Sequence, residues 1–518
     1  MMDNIISDSF KIVYSFQQEF GLWLLLFSVV FGFLLSFAVG ANDSANSWGA
    51  PVGAGTVTFG AAVLLGCVME LLGAVLLSSG VVSTVAGQHS VVNIAAYRSE
   101  NSTEWERYAA GELYLEQERC LMLGMLCAML ASQAWQVGAT VLGWPVSGTH
   151  AIISSLLGFT LVEKGAAGVN IGDWNPLCAS GLYKVIYGLF ISSFIALLVG
   201  LVLYSLVYRT LSQSKTGARA IICYDACCLA MFTAVGFSLA TAKAVNSPLL
   251  VESQHCSNPN KSLFGLVTGL GFGLLVTVMF HFLLLPRLLA SQSSFKLSLS
   301  FLSRCCSRQS KSHHIALQEI ETGLEVETRP GEEEPAQVAA VFRPLQLVVA
   351  SFAALNHGGN DVGNCIGPLV TIWFVYQSPL GWSPGAGGEL PWLLWGGFGI
   401  CLGLLVLGRR VITTVGTKLT PLTPSLGFVS VLSASLVVML CSLLGIPTST
   451  THCQVMAVVG AGLGRGALQS GSLKGGLATV DLTVFRNIGL SWLCTIPCSA
   501  ILSASIYSAL RVTIIGPF

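Results

Sequence analysis

GANDSANSWGAPVG at 40–53 and HGGNDVGNCIGPLV at 357–370 are two versions of one polar motif: Asn42, Asp43 and Asn46 recur as Asn360, Asp361 and Asn364, 318 residues later. A second motif, PVSGTH at 145–150, returns as PTSTTH at 447–452, at an offset of 302. Two unrelated motifs duplicated in the same order at nearly equal spacing mark an internal repeat. Both aspartates follow long apolar runs, and a carboxylate at membrane depth costs roughly 2.5–3.5 kcal/mol even on insertion scales. Something bound must offset that cost in both copies.

Composition fixes the setting. Of 518 residues, 53% are apolar and 10% charged, and mean hydropathy is +0.73; a soluble protein carries about 25% charged residues. The chain therefore reads as an all-α polytopic membrane protein, and a soluble enzyme is excluded. Lys plus Arg (25) balances Asp plus Glu (25), which leaves no basic field for nucleic acid. The 56 glycines suit close helix packing, and most of the 16 cysteines lie in apolar runs as small buried hydrophobes.

Apolar stretches long enough to cross about 30 Å of hydrocarbon run near 21–39, 59–79, 120–142, 182–208, 220–241, 263–285, 345–376, 392–408, 427–444 and 484–509. Two more, 144–162 and 446–463, start at a proline and carry polar groups, for about twelve helices, some broken or re-entrant. The N-terminal 1–19 is polar without a cleavage signal, so 21–39 is expected to be retained as a helix. The organisation expected is 20–285 as a first repeat with its following helices, 286–343 as a flexible loop, 344–509 as a second repeat and 510–518 as a tail.

Charge asymmetry gives orientation. Arg304, Arg308 and Lys311 place 286–343 in the cytoplasm, and Arg209, Arg409, Arg410 and Lys418 fall on the same side. The sequon at Asn101 then counts to the outside, as a glycosylation site. The helix before Asp43 runs inward and the helix before Asp361 runs outward, so the two repeats are expected to be inverted. That is the build of a secondary transporter, with substrate held near the midplane at the repeat interface.

Each motif suggests its own chemistry. Asn42, Asp43, Asn360 and Asp361, with backbone carbonyls opened at Gly40, Gly358, Gly359 and Gly363, offer the hard oxygen ligands that Na⁺ takes. The Pro-led segments open half-helices whose free N–H groups and dipole favour an anion. There Ser147, Gly148, Thr149, Ser449, Thr450 and Thr451, with Asn46 and Asn364, would hold a tetrahedral oxyanion without Lys or Arg. A capping role for the hydroxyls is the competing reading. Glu70, mid-span, is an accessory functional candidate; His150 and His452 fit either a structural role or substrate contact, and His357 reads as local.

These paired motifs closely resemble the signatures of the inorganic phosphate transporter family, over about 20–285 and 342–509. The sequon loop, FRPLQ at 342–346 and LTPLTPSLGF at 419–428 resemble its eukaryotic branch, the sodium-dependent phosphate transporters of the plasma membrane. The resemblance implies a Na⁺-coupled phosphate symporter working by alternating access, with no cofactor beyond the coupling ion and no enzymatic activity. Phosphate, Na⁺ and lipid are the implied partners, with a second copy of the chain and regulators of 286–343 as further expectations. Glu70 matches a family glutamate, whereas Thr413 within VITTVG and Ser83 stand where the family often has acidic residues. H⁺ coupling, another oxyanion, and a non-transporting receptor or phosphate-sensing scaffold remain the alternatives.

Overall fold

The computed structural model describes residues 2–78, 90–97, 111–172, 181–212, 336–377, 388–415, 422–443 and 448–516, with scattered positions in 81–85 and 267–282. Among these residues the fold is helical, with one isolated bridge pairing Val92 and Val169. In chain order the helices are α1 (Met2–Val39), α2 (Ala45–Gly53), α3 (Phe59–Leu77), α4 (Gly111–Val141), α5 (Gly148–Lys164) and α6 (Gly181–Ser212). There follow α7 (Ala336–Gln377), α8 (Leu390–Leu407), α9 (Arg409–Thr413), α10 (Pro424–Leu443), α11 (Thr450–Ser470), α12 (Leu473–Ala478) and α13 (Leu482–Ile514).

Eight helices among the described residues are long and apolar enough to cross a membrane, against the twelve expected. The expected span at 220–241 lies outside the described residues, as does most of 263–285. Neither α7 nor α11 is among the eight. Helix α7 also starts at Ala336, inside the stretch read as loop. Outward faces are apolar, as lipid demands: Trp23, Phe27, Phe190 and Ile501 are exposed, and Leu493 is 70% exposed.

The sequence places a helix break at each Asn-Asp motif, and here the structure corrects it. A π-helical turn, Gly40–Ser44, carries α1 straight into α2, and α7 runs unbroken through Asn360 and Asp361. The glycines serve helix contact instead of opening the backbone. A Cβ on Gly40 would sit 2.0 Å from the Ile400 carbonyl oxygen, and one on Gly358 would sit 2.2 Å from that of Glu70. Where breaks do form is at the Pro-led segment: the chain is non-helical through 144–147 before α5 begins.

Packing is reciprocal between the halves. Helix α3 packs on α7 while α8 packs on α1, and α5 packs on α13 while α11 packs on α6. The atoms repeat the exchange: Gly73 abuts the carbonyl of Leu355 and Gly403 that of Phe37, while Gly158 abuts Ala500 and Gly460 abuts Leu197. Small residues let the backbones approach to the distance at which dispersion and weak C–H···O contacts act, which is how helices associate where lipid tails offer no hydrophobic drive.

A side chain at such a crossing must push helices apart. Gly73→Leu, whose Cβ would lie 2.0 Å from the Leu355 oxygen, is expected to destabilise by at least about 1–3 kcal/mol. Gly138→Ala, with open space around its Cβ, should not. Thermal unfolding of the detergent-purified variants checks the contrast.

Candidate functional site

Two helix starts frame the site. Ser147 caps α5, its Oγ accepting from the His150 N–H at 3.2 Å, and Ser449 caps α11 by accepting from the His452 N–H at 3.1 Å. Side-chain oxygens used this way satisfy a free helix-end donor. Both serines, assigned from sequence to the anion, are thus turned onto their own helices. Pro447 lies outside the described residues.

The Asn-Asp motifs bear on these helix starts. Asp43 Oδ2 accepts from the Gly148 N–H at 2.7 Å, a charge-assisted bond at the positive end of α5. Asp361 accepts from Thr450 Oγ1 at 2.9 Å on Oδ2 and from Thr149 Oγ1 at 3.2 Å on Oδ1. Asn46 Nδ2 donates to Thr451 Oγ1 at 2.9 Å, and Asn364 Nδ2 donates to Thr149 Oγ1 at 3.0 Å. Each half's last motif asparagine therefore reaches the hydroxyl opening the other half's helix. The side-chain ligand atoms of Asp43, His357 and Asp361 lie within 4.8 Å of one another, and all three residues are buried.

Two motif asparagines are committed to the protein. Asn42 Nδ2 donates to Thr140 Oγ1 and to the Trp144 carbonyl, both at 2.9 Å, and its Oδ1 accepts from the Val146 N–H at 2.9 Å. Asn360 Nδ2 donates to the Thr448 carbonyl at 3.1 Å. These bonds tie the motif to the broken segment ahead of each helix start, a scaffold role that the sequence reading of a sodium ligand did not include. Thr448 is itself bonded to Ser192 on α6, so the scaffold helix reaches the same place.

His357, read as local from sequence, sits at the centre. Its Nδ1 is 2.8 Å from Glu70 Oε2 and its Nε2 3.0 Å from Asp361 Oδ2, one helical turn on. Ser44 Oγ donates to the other Glu70 oxygen at 2.6 Å. The i, i+4 spacing of His357 and Asp361 was the available signal. The reciprocal glycine contacts locate the counterparts of this pair: Ile400 occupies the place of Glu70 opposite Gly40, and Val39 that of His357. One half thus holds an acid–imidazole bridge where the other holds two aliphatic side chains.

His150 and His452 pack against each other at 4.3 Å between ring centroids with a 41° tilt, and His452 packs against Trp492 at 3.9 Å with a 33° tilt. His150 Nδ1 lies 2.7 Å from Ser147 Oγ, so these rings buttress the helix starts. Thr413 lies on α9 and donates to its own helix at the Arg409 carbonyl. Ser83 and Asn101 are outside the described residues.

Not every polar atom is satisfied. Among the described residues, Asp43 Oδ1, Asn46 Oδ1 and Asn364 Oδ1 are buried without a hydrogen-bond partner. Three oxygens of this kind on the duplicated motifs are unusual, since such groups are nearly always paired.

Residues 39–503 match the phosphate transporter family. The chain belongs to that family. It is 32% identical over 485 residues to the chloroplastic inorganic phosphate transporter 2-1 of Arabidopsis thaliana, covering 92% of this chain and 70% of that one. It is 29% identical over 496 residues to a putative phosphate permease of Haemophilus influenzae, covering 95% and 98%. A solved structure, the sodium-dependent phosphate transporter, superposes with a TM-score of 0.66 at 27% identity, covering 95% of this chain and all of that one. The protein is therefore a multi-pass membrane transporter of the phosphate transporter family and not an enzyme.

In this phosphate transporter family member Asn42 is expected to act on stability. Asn42→Ala strips partners from the Val146 N–H, the Trp144 carbonyl and the Thr140 hydroxyl, a cost of about 2–3 kcal/mol. A lowered thermal midpoint of the purified protein checks it; an unchanged midpoint contradicts the scaffold role.

Proposed function

We propose that the chain is a sodium-coupled inorganic phosphate symporter that works by alternating access of two inverted repeats in the plasma membrane. One observation carries the reading: Asp43 and Asp361, from opposite halves, meet in one buried cluster at two Ser-capped helix starts. The reciprocal packing supports the inverted pairing, and the solved sodium-dependent phosphate transporter supports the coupling ion.

Electrostatics argues for a bound cation. Two carboxylates within 4.8 Å repel, by about 3.5 kcal/mol at an effective dielectric of about 20. Their combined negative charge would also reject an anion. A sodium ion held by Asp43 or Asp361 removes both obstacles, so each ligand raises the affinity of the other.

Phosphate fits the donor and acceptor set. Thr149, Thr450 and Thr451 supply hydroxyls, and the Gly148 N–H opens α5. The carboxylates and the free oxygens of Asn46 and Asn364 are acceptors. At neutral pH phosphate carries protons that it can donate to them, whereas sulfate carries none and would leave buried acceptors unpaired. The hydroxyls now bond across the halves, and the oxyanion would take over those bonds.

A second reading draws on the chain of Glu70, His357 and Asp361. A carboxylate–imidazole–carboxylate series inside a membrane is the build of a proton relay, which favours H⁺ as the alternative driver.

Radiolabelled phosphate uptake into proteoliposomes separates the readings. Uptake is expected in Na⁺ and not in choline medium, with little competition by sulfate. Asp43→Asn and Asp361→Asn should each cut it by at least about 100-fold, the scale on which loss of a buried charged partner is felt, with protein yield unchanged. Uptake driven by acid pH in choline, or normal uptake in both variants, would overturn the proposal.

A further inference from the structure

Beside Asp43 lies a cavity of about 20 Å³ lined by Asp43, Asn46, Asn356, His357, Ser435 and Gln454, among others. That is room for about one water-sized particle. A dehydrated sodium ion fits it; phosphate does not.

The lining chemistry is lopsided. Among the described residues, Asp43 Oδ1, Asn46 Oδ1, Asn356 Oδ1 and Ser435 Oγ are buried without a hydrogen-bond partner, as is the amide donor Gln454 Nε2. None of the four oxygen-bearing residues is more than 5% exposed. Asn356 Nδ2 donates to the Ser435 carbonyl at 3.4 Å, which fixes the amide plane and turns its oxygen the other way. A buried oxygen left bare costs about 1–3 kcal/mol. Four around one small cavity make a ligand set.

We infer that Asn356 on α7 and Ser435 on α10 complete a sodium site with Asp43 and Asn46. This rests on the reading of Asp43 as a cation ligand and adds two neutral ligands outside either duplicated motif. One carboxylate and three neutral oxygens suit a monovalent hard cation, since a divalent ion usually recruits more anionic oxygen. The asymmetry of the two halves points to the same place. Asp361 has His357 and two hydroxyls against it, whereas Asp43 keeps one oxygen free. Ligands come from the π-helical turn Gly40–Ser44, α2, α7 and α10, so the ion would pin elements of both halves together.

Equilibrium binding of ²²Na⁺ to the purified full chain tests this without requiring transport. Asn356→Ala with Ser435→Ala is expected to weaken Na⁺ binding roughly tenfold, the equivalent of about 1.4 kcal/mol. Ser435→Ala alone, a small deletion that leaves the backbone in place, should give part of that loss. Asn356→Asp, which keeps an oxygen and adds charge, should tighten binding. Superimposable Na⁺ curves for wild type and the double variant, a wild type that binds no Na⁺, or a defect confined to phosphate affinity at saturating Na⁺ would each overturn the inference. Phosphate uptake by wild type that ignores Na⁺ would instead sink the coupling proposal and leave the binding result to decide this one.

Discussion

Two carboxylates buried between helices, one from each half of the chain, set the terms for everything around them. Neither Asp43 nor Asp361 is more than 2% exposed, and among the described residues neither is paired with a lysine or arginine. Their stabilisation comes instead from a helix end at Gly148, from hydroxyls at Thr149 and Thr450, and from His357. Such groups are dipoles and hydrogen bonds, which neutralise a charge incompletely. In the proposed reading that incompleteness is what would let the site take up ions, because a fully paired carboxylate has no reason to bind one.

Bringing the two carboxylates together requires backbones to approach closely. The contacts of Gly40, Gly73, Gly358 and Gly403 with opposing carbonyl oxygens leave no space for a methyl group, and they place α1 against α8 and α3 against α7. The same crossings determine which residues of one half meet the other. Glu70 therefore meets His357, while their counterparts Ile400 and Val39 are aliphatic members of one buried core. Similar glycine crossings thus carry different side-chain chemistry in the two halves.

Much of this was legible in the sequence, and the failures share a cause. The two motifs do meet, and helices do begin after Ser147 and Ser449, because each is a local signal of residue type and spacing. Helix continuity through Gly40–Ser44 and Gly358 was not legible. Glycine weakens an isolated helix, but within a packed bundle the backbone of a neighbour takes the space and holds the winding. Asn42 and Asn360 looked equivalent to their motif neighbours, yet only three-dimensional placement shows that their amides bind the chain ahead of the next helix start. Asn356 and Ser435 carry no sequence signal, since a lone asparagine and a lone serine in apolar runs read as packing.

In the symport reading, the groups that would hold substrate are bonded to one another in this structure. Asn46 bonds Thr451, Asn364 bonds Thr149 and Thr450 bonds Asp361, so each proposed anion donor is spent on the opposite half or on its own half. Separating the halves without a ligand would strand these partners in a dry interior, at about 1–3 kcal/mol each. An oxyanion and a cation entering together replace the lost bonds in kind, because one supplies acceptors and proton donors and the other supplies charge. A ligand shifts a conformational equilibrium only by its difference in affinity for the two states. In the symport reading that difference resides in the cross-half bonds, so either ligand alone leaves part of the pocket unpaired and holds the transporter back.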